Sequence, residues 1–241
     1  MKIFIDSGDI KEVQKYLSWG ICDGVTTNPS IMLKSGATSK AEAKELQIAI
    51  AKLISPRPLS VEVTTDNPEE MLQQAHDFVT WAPNIMVKIT ITDRQGGSML
   101  PVIHQLAAEG IAVNVTAIMT MNQAMLAAIA LENGRKVASK PAPFNHIISI
   151  FGGRISEEHG VDIASRILME VREWLDLHKM QTEIIVGSVR TPENMDSWST
   201  TGAHILTIPP DVLAKSQLSG RTKETVVQFL QDAAKALGAL K

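Results

Sequence analysis

Eight short runs rich in β-branched and apolar residues recur along the chain, each followed by a segment of helical character, and this alternation leaves few architectures open. The runs are KIFID (2–6), DGVTT (23–27), LSVEV (59–63), NIMVKIT (84–90), IAVNVT (111–116), HIISIF (146–151), TEIIVGS (182–188) and AHILTIP (203–209). Between them, 40–54 sets Ala43, Leu46, Ile50 and Leu53 on one face behind a capping box of Ser39 and Glu42. Pro68 opens 68–80, with carboxylates at the positive end of the helix dipole. Val161, Ala164, Leu168, Val171 and Leu175 give 161–177 its period, and Thr191 with Pro192 opens another helix. A last helix is expected near 222–238, where Val226, Phe229 or Leu230, Ala233 and Leu237 share a face.

Strict βα alternation predicts a parallel sheet covered by helices, and eight units predict its closure into a (β/α)8, or TIM, barrel. The expectation is one α/β domain over 1–241 with a C-terminal helix. The runner-up, an open doubly wound sheet, usually has fewer strands and wants a glycine fingerprint after the first; DSGDI is not one. Residues 133–145 are long for a helix-to-strand connection and read as a surface excursion.

Composition narrows the partners. Hydrophobic residues make up 44% and charged residues 20%, so a packed core is expected. The net charge is −3. The densest basic stretch, GRKVASK (134–140), has no aromatic partner and reads as a solvated loop, not a nucleic-acid site. Cys22 is the only cysteine, so no internal disulfide can form, which fits a reducing compartment. The apolar run before Asp6 is too short for a signal-peptide core, and no stretch is long enough to span a membrane. A cytoplasmic protein without membrane or nucleic-acid partners is expected. The six histidines lack paired metal-ligand spacing, and no metal or other cofactor is expected.

Side chains alternate faces along a strand. Ile3 and Ile5 oppose Phe4 and Asp6; Val61 and Val63 oppose Glu62; Val87 and Ile89 oppose Lys88. Val113 and Val115 oppose Asn114 and Thr116, Ile148 and Ile150 oppose Ser149, and Ile185 opposes Val186 and Ser188. The apolar parity suits a helix layer. The other parity ends in Asp, Glu, Lys, Asn, Thr or Ser near the C-terminal ends of the strands, the catalytic end of such a barrel. A half-solvated antiparallel sheet would also alternate, but the intervening helical segments oppose it.

Lys88 therefore points into a polar interior that also holds Asp6 and Glu62. Desolvation would lower the pKa of such a lysine while carboxylates pull it back, and a neutral amine there attacks carbonyl carbon. A buried Lys–Glu ion pair without chemistry fits the same pattern.

Six strings carry a resemblance to the transaldolase family, in its short single-barrel members. They are FID (4–6), DGVTTNPS (23–30), VKIT (87–90), GIAVNVT (110–116), SIFGGRI (149–155) and GSVR (187–190), in order on successive strand ends over nearly the whole chain. The resemblance implies that Lys88 forms a Schiff base and that Asp6 moves the proton of the hydroxyl beside the scissile bond. It implies that Glu62 and Thr116 hold the water of imine formation and hydrolysis. Asn28, Asn114 and Ser149 would bind a dihydroxyacetone moiety, and Arg154, Ser188 and Arg190 a substrate phosphate. Sugar phosphates are the implied partners, with no cofactor. Short members form homo-oligomers, pentameric rings that stack into decamers, with the C-terminal helix reaching a neighbour. The apolar stripe at 226–237 permits that, or packing on its own barrel. Two rivals remain. Fructose-6-phosphate aldolases tend to carry Gln at the position of Glu62 and Tyr at that of Phe151, where a hydroxyl helps release free ketone. A non-catalytic sugar-phosphate-binding relative would not need Lys88, Asp6 and Glu62 together.

Overall fold

In the computed structural model, which describes residues 1–239, the chain begins with β1 (Lys2–Asp6), α1 (Ile10–Ser18), β2 (Gly24–Thr26), α2 (Pro29–Lys34) and α3 (Lys40–Ile54). It continues through β3 (Leu59–Glu62), α4 (Pro68–Phe78), β4 (Ile85–Thr90), α5 (Leu100–Ala108), β5 (Val113–Ile118) and α6 (Met121–Val137). Then follow β6 (Ile147–Phe151), α7 (Gly152–His159), α8 (Val161–Leu177), β7 (Glu183–Gly187), α9 (Pro192–Ser199), β8 (Ile205–Ile208), α10 (Pro210–Ser216) and α11 (Gly220–Ala239). Among the described residues the strands pair in parallel in chain order, and β8 returns to β1 to close the (β/α)8 barrel. The last two residues of the expected 1–241 domain lie outside the described residues. Among the described residues no helix is long and apolar enough to cross a membrane.

Local sequence sets the helix starts. Asn28, Asn67 and Thr191 each accept a backbone N–H at the head of α2, α4 and α9, with proline in the first turn. Ser39 accepts from the Glu42 amide, but the Glu42 carboxylate reaches past it to the Thr38 amide and hydroxyl. The reciprocal capping box is instead at Thr120 and Gln123, at the start of α6.

The outward strand residues, among them Ile5, Val61, Val87, Ile89, Val113, Val115, Ile148 and Ile150, are buried against the helices. Each such side chain contributes about 1.5–3 kcal/mol of burial. Inside the barrel, Phe4, Met86, Ala112, Ile147, Ile185 and Ile205 form a separate apolar layer at its lower end. Gly24 is part of that fit, because a Cβ there would lie 2.6 Å from the Phe4 ring.

Three expectations change. First, the excursion is shorter than 133–145, because α6 runs to Val137 and Arg135 pairs with Glu132 at 2.7 Å. GRKVASK is thus half helix. The rest passes under the barrel, where Ala142 and Phe144 pack on the lower apolar layer, at the opposite end from Arg154 and Ser188. Second, β7 has the reverse parity: Ile185 faces the interior and Val186 the helices. Third, of the two readings left open for α11, packing on its own barrel does not hold. From Gly220 to Gly238 every residue but Thr225 is exposed, including Phe229 at 66% and Leu230 at 67%.

His146 and His204 serve the backbone. Their Nδ1 atoms accept the N–H groups of Val113 and Ile184 beside the β5–β6 and β7–β8 pairings. Burial pushes the His146 imidazole down to about 4, so it is neutral at pH 7 and free to accept.

Candidate active site

Lys88 lies midway along β4, where the register sets it opposite Glu62 of β3 on one side and Asn114 of β5 on the other. Its ammonium is 2.9 Å from Glu62 Oε2 and donates to the Thr27 carbonyl at 3.3 Å. Lys88 is only 5% exposed.

Asp6 ends β1 opposite Thr26 of β2. The Thr26 hydroxyl donates to Asp6 Oδ1 at 2.6 Å and lies 2.5 Å from the Thr207 hydroxyl. Desolvation pushes the Asp6 carboxyl above its ordinary value; Lys88 and the Thr26 hydrogen bond pull it down without cancelling that rise. A carboxylate held in that way is a stronger proton acceptor than one in water.

Below the mouth, Asn114 donates to Ser60 Oγ at 3.1 Å. Asn114 Oδ1 and Thr116 Oγ1 are buried without a partner among the described residues. Buried polar atoms are seldom left so, and both lie on the inward face of β5, Asn114 opposite Lys88 and Thr116 opposite Thr90.

A cavity of about 160 Å³ opens at the C-terminal ends of the strands, lined by Asp6, Asn28, Lys88, Ser149, Phe151, Arg154 and Ser188 together with Thr26, Gly187 and Thr207. It therefore gathers seven of the residues singled out from sequence. Glu62 touches it through Lys88, and Asn114 and Thr116 sit on the neighbouring strand. Arg190 is the outlier: it is exposed, does not line the cavity, and pairs with Glu157 of α7. Asn28 has two tasks, since its Oδ1 caps α2 at 2.9 Å from the Ile31 amide while its side chain lines the cavity.

One end of the cavity is suited to an anion. Helix α7 starts directly after β6, so its first N–H groups and its positive dipole end lie beside Arg154 and Ser188. Ser188 has φ of 60°, in the left-handed region, and this turn, not strand parity, brings its hydroxyl to the cavity. Gly153 permits the turn: a Cβ there would sit 1.9 Å from the Ser188 carbonyl oxygen. Gly153→Ala should force these segments apart, costing about 1–3 kcal/mol and raising the KM of an anionic substrate more than it lowers kcat. Thermal melts and steady-state kinetics check it.

Sequence reasoning left out Thr26, Thr207, Thr27 and Ser60. The first two were within reach, because they are the polar inward positions of β2 and β8, following the parity used for the other strands. Thr27 acts through its backbone carbonyl, which no side-chain pattern reveals.

Similarity to known proteins points to one family. The family model described as Transaldolase/Fructose-6-phosphate aldolase matches residues 3–241. A probable transaldolase of Alkaliphilus metalliredigens is 34% identical over 232 residues, covering 96% of this chain and 97% of that one. A probable transaldolase of Lactiplantibacillus plantarum is 33% identical and covers 96% of both chains. Among solved structures, a putative phosphonomutase from Burkholderia cenocepacia is similar at a TM-score of 0.55 and 10% identity, covering 96% of this chain and 92% of that one. At such identity the likeness concerns the fold alone. With the family model spanning nearly its whole length and relatives above 30% identity matched end to end, this chain belongs to the transaldolase/fructose-6-phosphate aldolase family.

Proposed function

We propose that this enzyme of the transaldolase/aldolase kind transfers a dihydroxyacetone unit from a ketose phosphate to an aldose phosphate through a Schiff base on Lys88. Fructose 6-phosphate and sedoheptulose 7-phosphate are the proposed donors, which places the reaction in the pentose phosphate pathway in the cytoplasm. The observation that carries the reading is a nearly buried lysine amine in a barrel-mouth cavity shared with Asp6, beside Glu62 at 2.9 Å.

The chemistry follows from that placement. The phosphate lies against Arg154, Ser188 and the start of α7, which extends the sugar toward Lys88. Arg190 joins by exchanging Glu157 for the phosphate. The Lys88 amine adds to the ketone carbon, the former ketone oxygen leaves as water, and an iminium remains. Glu62 and Thr116 handle that water. Asp6 takes the proton from the C4 hydroxyl, the C3–C4 bond breaks, its electrons pass to the iminium, and an aldose phosphate departs. Asn28, Asn114 and Ser149 hold the enamine left behind until a second aldose phosphate accepts it. Water then hydrolyses the new imine. Glu62 and Phe151 stand where aldolases of this family tend to have Gln and Tyr, which favours transfer over release of free ketone.

The exposed apolar residues of α11 support assembly with further copies of the chain, in pentameric rings or decamers built from single-domain barrels. Borohydride reduction in the presence of fructose 6-phosphate tests the central claim. The expected result is one mass adduct on Lys88, with little dihydroxyacetone released unless an aldose acceptor is absent for long. No adduct would mean a binding protein; rapid ketone release would mean an aldolase.

A further inference from the structure

Glu62 and Lys88 touch each other but open onto different spaces. Lys88 lines the central cavity, whereas Glu62 does not; Glu62 instead lines two adjoining clefts, one of about 340 Å³ that meets the cavity at Asn28 and one of about 220 Å³ that shares no residue with it. The larger runs along α2 and the start of α3, the smaller lies between α3 and α4, and Lys40, Ala43, Gln47, Glu62 and Thr64 border both. The exposures agree: the Glu62 side chain is 17% exposed and that of Lys88 6%. The ion pair at 2.9 Å is thus a junction, with solvent behind the carboxylate and the cavity in front of the amine.

The geometry points to the smaller cleft, between α3 and α4, as the water route of the reaction, distinct from the mouth that admits sugar phosphates. The inference rests on the imine chemistry proposed above. Each imine formed on Lys88 releases one water, as the carbinolamine C–O bond breaks and its oxygen leaves with a proton delivered by Glu62. Each imine hydrolysed consumes one, the proton returning to Glu62. A ketose phosphate held from Asp6 to Arg154 fills the cavity of about 160 Å³ and closes the upward path. Glu62 reaches the reacting carbon through its contact with Lys88 and reaches solvent on its far side. Water can then be exchanged without releasing the enamine fragment, a separation that transfer requires and simple cleavage does not.

Filling the cleft tests this. Ala43→Leu, from α3, and Thr64→Leu, from the opposite wall, each place an apolar group over the outer side of Glu62 without touching the cavity. The assay is uptake of heavy oxygen from labelled water into the carbonyl of fructose 6-phosphate, with uncatalysed exchange subtracted. The expected result in both variants is a drop of about fivefold or more in exchange rate, with KM, the final yield of borohydride adduct and the shape of the pH profile unchanged. Wild-type exchange in either folded variant overturns the route. A changed pH profile overturns it as well, because the plug would then be acting on Glu62 ionisation. Should Ala43→Leu lose its circular dichroism, Thr64→Leu decides. An unmodified enzyme that gives neither adduct nor exchange defeats the imine reading itself.

Discussion

Lys88→Met is expected to fold, to form no borohydride adduct and to lose activity by about 10⁴-fold or more, since on the proposed mechanism it removes the covalent nucleophile and leaves only binding and positioning. Methionine matches the lysine stem in length and flexibility, so the space between β3 and β5 stays filled. The cost falls on Glu62, which loses its partner at 2.9 Å. Breaking a fully buried pair costs about 3–5 kcal/mol, but this carboxylate keeps contact with the outer cleft and is partly solvated, so about 1–2 kcal/mol is expected. For a chain of this length that is a fall in Tm of roughly 2–8 °C. Lys88→Arg should be equally inactive, because a guanidinium keeps the charge but supplies no neutral amine. Activity near the unmodified level in either variant would end the Schiff-base mechanism, whatever the melting curve.

Asp6→Asn should separate imine formation from bond cleavage. The amide keeps an oxygen to accept from Thr26 but cannot take a proton, so the adduct on Lys88 still forms while turnover falls about 10²–10⁴-fold. It should also alter stability with a definite sign. Because burial raises the Asp6 carboxyl above its ordinary value, the folded state binds its proton more tightly than the unfolded state does. The unmodified protein therefore loses stability as pH rises from the ordinary carboxylate range through the raised folded value, and the loss persists above it. The substituted amide cannot ionise and carries no such loss. The variant should melt higher than the unmodified protein at neutral pH, and the gap should shrink toward acid. A gap that widens toward acid would show that Asp6 is not penalised by burial. Undiminished turnover would move the acid–base role elsewhere.

Much of the site was legible because one physical rule recurs strand after strand: one face packs on helices and the other lines the barrel. Lys88, Glu62, Asp6, Asn114 and Ser149 stand out as polar residues within otherwise apolar alternation. The rule fails where alternation is absent. In β7, Ile184, Ile185 and Val186 are apolar on both faces, so the sequence does not say which points inward. Ser188 reaches the cavity only because its backbone turns left-handed after the strand ends. The pairing of Arg190 with Glu157 depends on how α7 docks beside β7.

The order of elements, the barrel they imply and the inward parity of most strands are consequences of chain periodicity, which is local and can be read residue by residue. The depth of Lys88, its contact with Glu62, the raised Asp6 carboxyl and the division between cavity and outer cleft belong to the closed barrel alone. They depend on strand register and on what displaces water around each charge, and those are set by residues far apart in sequence.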